Sequence, residues 1–277
     1  MSIFHAIVLG ITQGLSEYLP ISSSGHLILV PWLFGWDDFA GNDNLKKTFD
    51  VALHMGTLAG ALAYFRHDVL RYARASLRML SHRGEKTTDG RIGWLLLLSA
   101  VPAALVGAAL DNDIEKLDDK IWLIGVMMIL GGLLLLVADR LIGHRKVEGY
   151  RARDALLMGG AQVLALQPGS SRSGLTITAG RWLRFDRDAA ARLSFLMALP
   201  ITAGAGLFKL ADVMSSGGIP SDLRVPFVVG MITSGLTGWF AVWGTLRYVR
   251  THMFTPFVIY RVVLGVGVLA LLASSFR

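Results

Sequence analysis

Cysteine is absent from the chain, which excludes disulfides, thiolate nucleophiles and cysteine-bound metals and leaves the redox compartment unreadable. Charge is scarce too: 17% of the 277 residues are charged and 53% hydrophobic, where a soluble domain carries about 25% charge. That shortfall excludes an ordinary soluble domain. The N-terminus lacks a basic stretch ahead of its apolar residues, so no cleaved signal peptide is expected. What the chain has instead is long apolar runs. Residues 92–110 (IGWLLLLSAVPAALVGAAL), 121–138 (IWLIGVMMILGGLLLLVA) and 255–274 (TPFVIYRVVLGVGVLALLAS) carry almost no charge. About 20 such residues cross the hydrocarbon core as a helix. Residues 49–65, 193–211 and 225–246 are three further candidates. With no water to satisfy the backbone, runs this long must be helices.

Loop charge sets an orientation. Lys and Arg number seven in 66–91, five in 139–154, four in 181–192 and two in 247–252, against two, two and one in 37–48, 111–120 and 212–224. The richer set is expected on the cytoplasmic side, and the two sets alternate as six spans require. Insertion asymmetry also accounts for the net charge of +7, so no nucleic-acid partner is expected.

Two regions do not fit simple spans, 2–36 and 155–183. Each is apolar but interrupted, by PISSSGH at 20–26 and PGSSRSG at 168–174. The interruptions resemble each other, so the chain reads as two copies of one unit, 1–139 and 153–277, each an interrupted pair followed by three spans. Loop charge makes the copies opposite in orientation, the mark of an inverted repeat whose broken segments sit at the binding site. Read as two full spans, each pair would put its serines at opposite faces, about 30 Å apart. Read as re-entrant hairpins, the tips meet near mid-membrane. The second halves are too short to span, which favours hairpins. The expected fold is an all-α polytopic membrane protein of six spans and two re-entrant hairpins.

The tips hold the reactive groups. Gln13 and Glu17 share a helix face, and Pro20 ends that helix. Ser22, Ser23, Ser24 and Gly25 follow where the next helix starts, with His26 on its first turn. Helix starts bind anions through free N–H groups. Ser170, Ser171, Arg172, Ser173 and Gly174 repeat the pattern with a guanidinium suited to phosphate, and Thr176 follows. An intramembrane acid is costly and marks function. Asp50 and His54 read as packing or supporting groups, and Arg261 as the partner of an acid or a helix end. His5, His67, His82, His144 and His252 carry no signal. Taken together, the cluster is an oxyanion site, with phosphate the obvious anion.

At these residues the chain resembles the undecaprenyl pyrophosphate phosphatase, or bacitracin-resistance, family. QGLSEYLPISSSGHL at 13–27 matches one motif and QPGSSRSGLT at 167–176 the other, and 49–65 and 190–206 also fit, so the likeness runs nearly the whole length. The resemblance implies removal of the terminal phosphate from a polyprenyl pyrophosphate at the outer face of the bacterial inner membrane, which recycles the carrier lipid for peptidoglycan. It implies Glu17 as the essential carboxylate, Ser23 and His26 as a catalytic pair, and Arg172 as the phosphate clamp. Ser22, Ser24, Ser171, Ser173 and Thr176 would contact phosphate, beside the backbone at Gly25 and Gly174. It further implies a divalent cation, magnesium or calcium, held by Glu17 and bridged by the substrate. Many members have Glu where this chain has Gln13, and an amide supplies no second negative ligand. The nucleophile is open between Ser23, His26 and water. A homodimer is a further expectation. The main rival is an inverted-repeat transporter or lipid flippase. The SGH of Ser24-Gly25-His26 also echoes the phosphatidic-acid-type phosphatases, but their second histidine is missing: after Arg172 the next is His252.

Overall fold

The apolar runs fold as helices, as a lipid solvent demands. The computed structural model describes residues 1–277 except 40, 81–85, 216–217 and 275–277, together with the side chains of 111, 112, 115 and 215. His82 and parts of the 37–48, 66–91 and 212–224 loops lie outside the described residues. The described residues form ten α-helices: α1 Ile3–Tyr18, α2 Ser23–Phe34, α3 Asp43–Met79, α4 Thr88–Glu115, α5 Ile121–Asp139, α6 Ala152–Leu164, α7 Arg172–Trp182, α8 Arg187–Ser215, α9 Arg224–Val249 and α10 Thr255–Ala273. Among the described residues the chain is otherwise irregular, apart from a 3₁₀ turn at Val147–Gly149 and one isolated bridge between Arg145 and Phe185.

Among the described residues five segments are long and apolar enough to cross a membrane: Thr88–Leu110, Ile121–Asp139, Arg187–Met214, Arg224–Val249 and Thr255–Ala273. The sixth expected span, 49–65, lies inside α3 but is less apolar, because it carries Asp50 and His54. At 37 residues α3 is about 55 Å long. The basic stretch after residue 65, read above as loop, is helical to Met79; Arg and Lys are good helix formers once out of lipid. The 181–192 loop likewise shrinks to a turn at 183–186. Asp186 caps α8 by accepting from Ala189 N at 2.7 Å.

The two interrupted regions each form a helix pair. α1 ends because Leu19, preceding Pro20, is forced extended (ψ 140°). α6 begins at Ala152, three residues before the boundary expected from sequence, because Asp154 accepts from Arg151 N at 2.9 Å and pairs with Arg145 at 2.5 Å. α2 has 12 residues and α7 has 11, or about 18 and 16 Å of helix, well short of the roughly 30 Å hydrocarbon core.

Small residues let these helices approach closely, as packing between apolar helices in lipid requires. α1 lies against α9: a Cβ added at Gly14 would come within 2.6 Å of Ser234 O. α3 lies on the same helix through Gly60, where an added Cβ would reach Trp239 N at 3.0 Å. α5 and α10 touch at Gly125 and Gly265. α6 packs on α4, and α7 on α8 and α5. At one end, buried Asp139 accepts from Arg187 Nε at 2.6 Å and Phe254 N at 2.8 Å, tying α5 to α8 and α10.

Candidate functional site

Both tips share one backbone device. Ser22 and Ser171, at φ 78° and 73°, are non-glycine residues with positive φ, a conformation held only where the surroundings fix it. Each caps its helix: Ser22 Oγ accepts from Gly25 N at 3.3 Å, and Ser171 Oγ from Gly174 N at 3.1 Å. Both glycines are closely packed. An added Cβ at Gly25 would lie 3.3 Å from Gly169 Cα, and one at Gly174 2.7 Å from Arg261 Nη1. The tips therefore touch. Ser173 Oγ of the second donates to Leu19 O of the first at 3.0 Å.

Glu17 is the hub. It is buried on α1, and its Oε1 takes the Arg172 guanidinium from the other tip. Its Oε2 accepts from Ser23 Oγ at 2.6 Å and from Gln13 Nε2 at 3.0 Å, and lies 3.5 Å from His54 Nε2. Burial of one carboxylate among these donors is the arrangement that makes charge-assisted bonds strong. Arg172 is fixed on its other side by Thr202 Oγ1 of α8, at 2.9 Å. Thr176 supports it from beneath, donating to Arg172 O at 2.8 Å and meeting Ser194 Oγ at 2.6 Å. The Thr176 hydroxyl is thus used within the α7–α8 interface.

Ser23 and His26, paired by the resemblance, have different partners in the structure. Ser23 sits on Glu17. His26 Nδ1 lies 2.6 Å from Ser22 O, and a carbonyl can only accept, so that nitrogen carries the proton. Its Nε2 meets Tyr260 Oη of α10 at 2.7 Å, with the rings stacked at 5.6 Å. By the same argument His54 Nδ1 donates to Asp50 O at 2.8 Å, leaving Nε2 facing Glu17. The Asp50 side chain instead lines a cavity of 210 Å³, with Trp36, Asp38 and Lys46. Ser24 is half-buried on the first turn of α2.

The donor set suits a hard cation with few protein ligands. Gln13 Oε1 is buried without a hydrogen-bond partner beside Glu17, and amide and carboxylate oxygens are the ligands such ions take. Among the described residues no three His, Asp or Glu side chains are grouped to hold a metal by themselves.

Sequence reasoning missed Thr202, Ser194 and Tyr260, which lie in apolar helices and stand out only by position in space. Of the two partners expected for Arg261, an acid or a helix end, the second describes it better: it donates to carbonyls just past the end of α1 and just before the start of α7. It is fully buried and pairs with no acid among the described residues; it donates to backbone carbonyls.

Fold and site together define a multi-pass α-helical membrane protein whose buried carboxylate, hydroxyl and guanidinium come from two touching helix-start loops. The chain belongs to the family of the bacitracin resistance protein BacA, whose model matches residues 6–267. It is similar over nearly its full length to proteins named undecaprenyl-diphosphatase. The relative from Pelobacter propionicus is 44% identical over 278 residues, 99% of each chain. That from Nocardioides sp. is 44% identical over 275 residues, 98% of this chain and 97% of the relative. That from Geobacter sulfurreducens is 45% identical over 274 residues, 98% and 99% respectively.

Proposed function

We propose that the chain hydrolyses undecaprenyl pyrophosphate to undecaprenyl phosphate and orthophosphate, and so takes part in carrier-lipid recycling and bacitracin resistance. The observation that carries this reading is the contact of Glu17 on one tip with Ser23 beside it and Arg172 on the other. It joins a nucleophile, a proton acceptor and a phosphate-binding cation at one buried point. The prenyl tail lies in the bilayer while the head group takes the guanidinium of Arg172, the serine hydroxyls and the helix starts at Gly25 and Gly174. Positioning and charge stabilisation do most of the work in phosphoryl transfer. Glu17 and the Gln13 amide oxygen would hold a magnesium or calcium ion, which supplies further charge neutralisation.

Ser23 is the nucleophile in this reading, because it is the hydroxyl in hydrogen-bond contact with a base. Its Oγ bonds to the terminal phosphorus and its proton passes to Glu17. The bond from that phosphorus to the bridging oxygen breaks, and the electron pair leaves with the lipid phosphate. Water then cleaves the phosphoserine, Glu17 returns its proton to Ser23, and orthophosphate departs.

The topology belongs to the same proposal: α1–α2 and α6–α7 as re-entrant hairpins, followed by three spans each, in the bacterial inner membrane. The repeats would cover 1–139 and 153–277, with the first hairpin and the site opening to the periplasmic side. The packing supports inversion: α1 lies on α9, the middle span of the other half, and α6 lies on α4, the middle span of the first. The lengths of α2 and α7 support re-entrance. A homodimer is left to size measurement by light scattering.

The test is phosphate release by purified protein from C55 and shorter prenyl pyrophosphates, with and without chelator. Release that a chelator abolishes and magnesium or calcium restores is expected, with acid-stable phosphate trapped on Ser23. A transporter would release none from any substrate, and release without a trapped phosphoserine would leave His26 or water as the nucleophile.

A further inference from the structure

The guanidinium of Arg261, a residue about two turns into α10, lies where both tips meet. Its Nη1 donates to Pro20 O of the first tip at 3.2 Å. Its Nη2 donates to Gly169 O and Ser170 O of the second, at 3.2 and 2.9 Å. Nε and Nη2 also reach Met128 O and Met127 O of α5, at 2.9 and 3.1 Å. The side chain is fully buried. A space has been cleared for it. A Cβ added at Gly131 would strike Nη2, one at Gly174 would sit 2.7 Å from Nη1, and one at Gly132 would sit 3.3 Å from its Cβ.

An arginine in an apolar helix is expensive, so such residues are rare and pair with an opposite charge or with backbone carbonyls. Here no carboxylate pairs with it among the described residues, so neutralisation is not its role. What it does is donate to carbonyls of both turns, groups that a hydrocarbon surrounding could not satisfy. Five donors in a rigid planar fork suit that task; a lysine has three, on one point. It also leaves a positive charge under the place where an anion would bind.

We propose that Arg261 is a positioning residue that fixes the two tips against each other, and that Arg172 faces Glu17 and Ser23 because of it. This rests on the phosphatase reading above. Arg261 touches neither Glu17 nor Arg172, so its effect on turnover passes through their alignment. A hundredth of the turnover is what misplacement by about 1 Å costs in such a site.

The experiment compares wild type, Arg261→Gln, Arg261→Lys and Gly131→Ala as purified, monodisperse protein. Multiple-turnover rates on a prenyl pyrophosphate give kcat and KM, and single-turnover rates follow the slow variants. Arg261→Gln is expected to lower kcat about 100-fold, and Arg261→Lys to recover part of that. Gly131→Ala, which pushes on the guanidinium without removing it, is expected to lower kcat about 10-fold. The deciding measurement is made in an Arg172→Ala background. There Arg261→Gln should cost less than about threefold more, because the aligned partner is already gone. Equal losses in both backgrounds, or kcat within threefold of wild type for Arg261→Gln and Gly131→Ala, overturn the inference. If Arg261→Gln does not fold, Gly131→Ala is carried through the same two backgrounds. Failure of the wild type to release phosphate would instead overturn the phosphatase reading.

Discussion

The two tips have nearly the same backbone and different chemistry. Each has a positive-φ serine that caps a short helix through a glycine N–H three residues on. At the position after that serine, the first tip has Ser23 and the second Arg172. Glu17 precedes the first tip, whereas the helix before the second, α6, carries Gln162, whose Nε2 is spent on Ser99 O at 2.9 Å. One tip thus carries the acid and the hydroxyl, the other the cation. The lesson is that a duplicated backbone supplies two helix starts, and single substitutions divide the labour between them. Neither half holds this cluster alone: the contact of Glu17 with Arg172 crosses from one tip to the other.

The largest test of that division removes the crossing pair. Glu17→Ala and Arg172→Ala should each lower kcat/KM by about 10³-fold. The double variant should be little worse than either, because groups that act as one unit are not additive. Additive losses would mean the tips work separately. Moving the cation, with Ser23→Arg and Arg172→Ser together, should leave the enzyme as inactive as Arg172→Ala; recovered phosphate release would break the comparison.

Next in size is Ser23→Ala, expected to lower kcat by at least about 10²-fold with KM nearly unchanged, whereas Ser173→Ala, at a position bonded to Leu19 O, should cost about 10-fold or less. Equal effects would count against assigning the nucleophile to the first tip. Thr202→Ala removes one contact to Arg172 and should raise KM about threefold. The smallest effects test the shared backbone. Ser22→Ala and Ser171→Ala lose a cap and should each destabilise by about 1 kcal/mol, read as a lower melting midpoint in detergent. Ser22→Gly and Ser171→Gly should cost only a few tenths, since glycine relieves the positive φ. A glycine variant less stable than its alanine counterpart would show that strain is not what these serines bear.

Much of this was legible in the sequence because a bilayer is a strict solvent. Apolar runs at 92–110, 121–138 and 255–274 can only be helices there, and Glu17 and Arg172 stand out because lipid makes such residues rare. Segment ends were less legible. The stretch after residue 65 is helical because nothing in its charge forbids a helix beyond the lipid, and 49–65 is a weak span because Asp50 and His54 face polar surroundings.

The sequence by itself determined the class of the molecule, the two interrupted segments and the identity of the acid, hydroxyls and cation. Chain spacing carries no information across 155 residues, however, so only the tertiary structure decided that Glu17 meets Arg172. It also gave Ser23 to Glu17 and His26 to Tyr260, and between an acid and a helix end it chose for Arg261 the backbone carbonyls beside the ends of α1 and α7. Those choices depend on which helix faces pack together, and packing between apolar helices is set by small residues and buried polar bonds, whose partners lie far away in the chain.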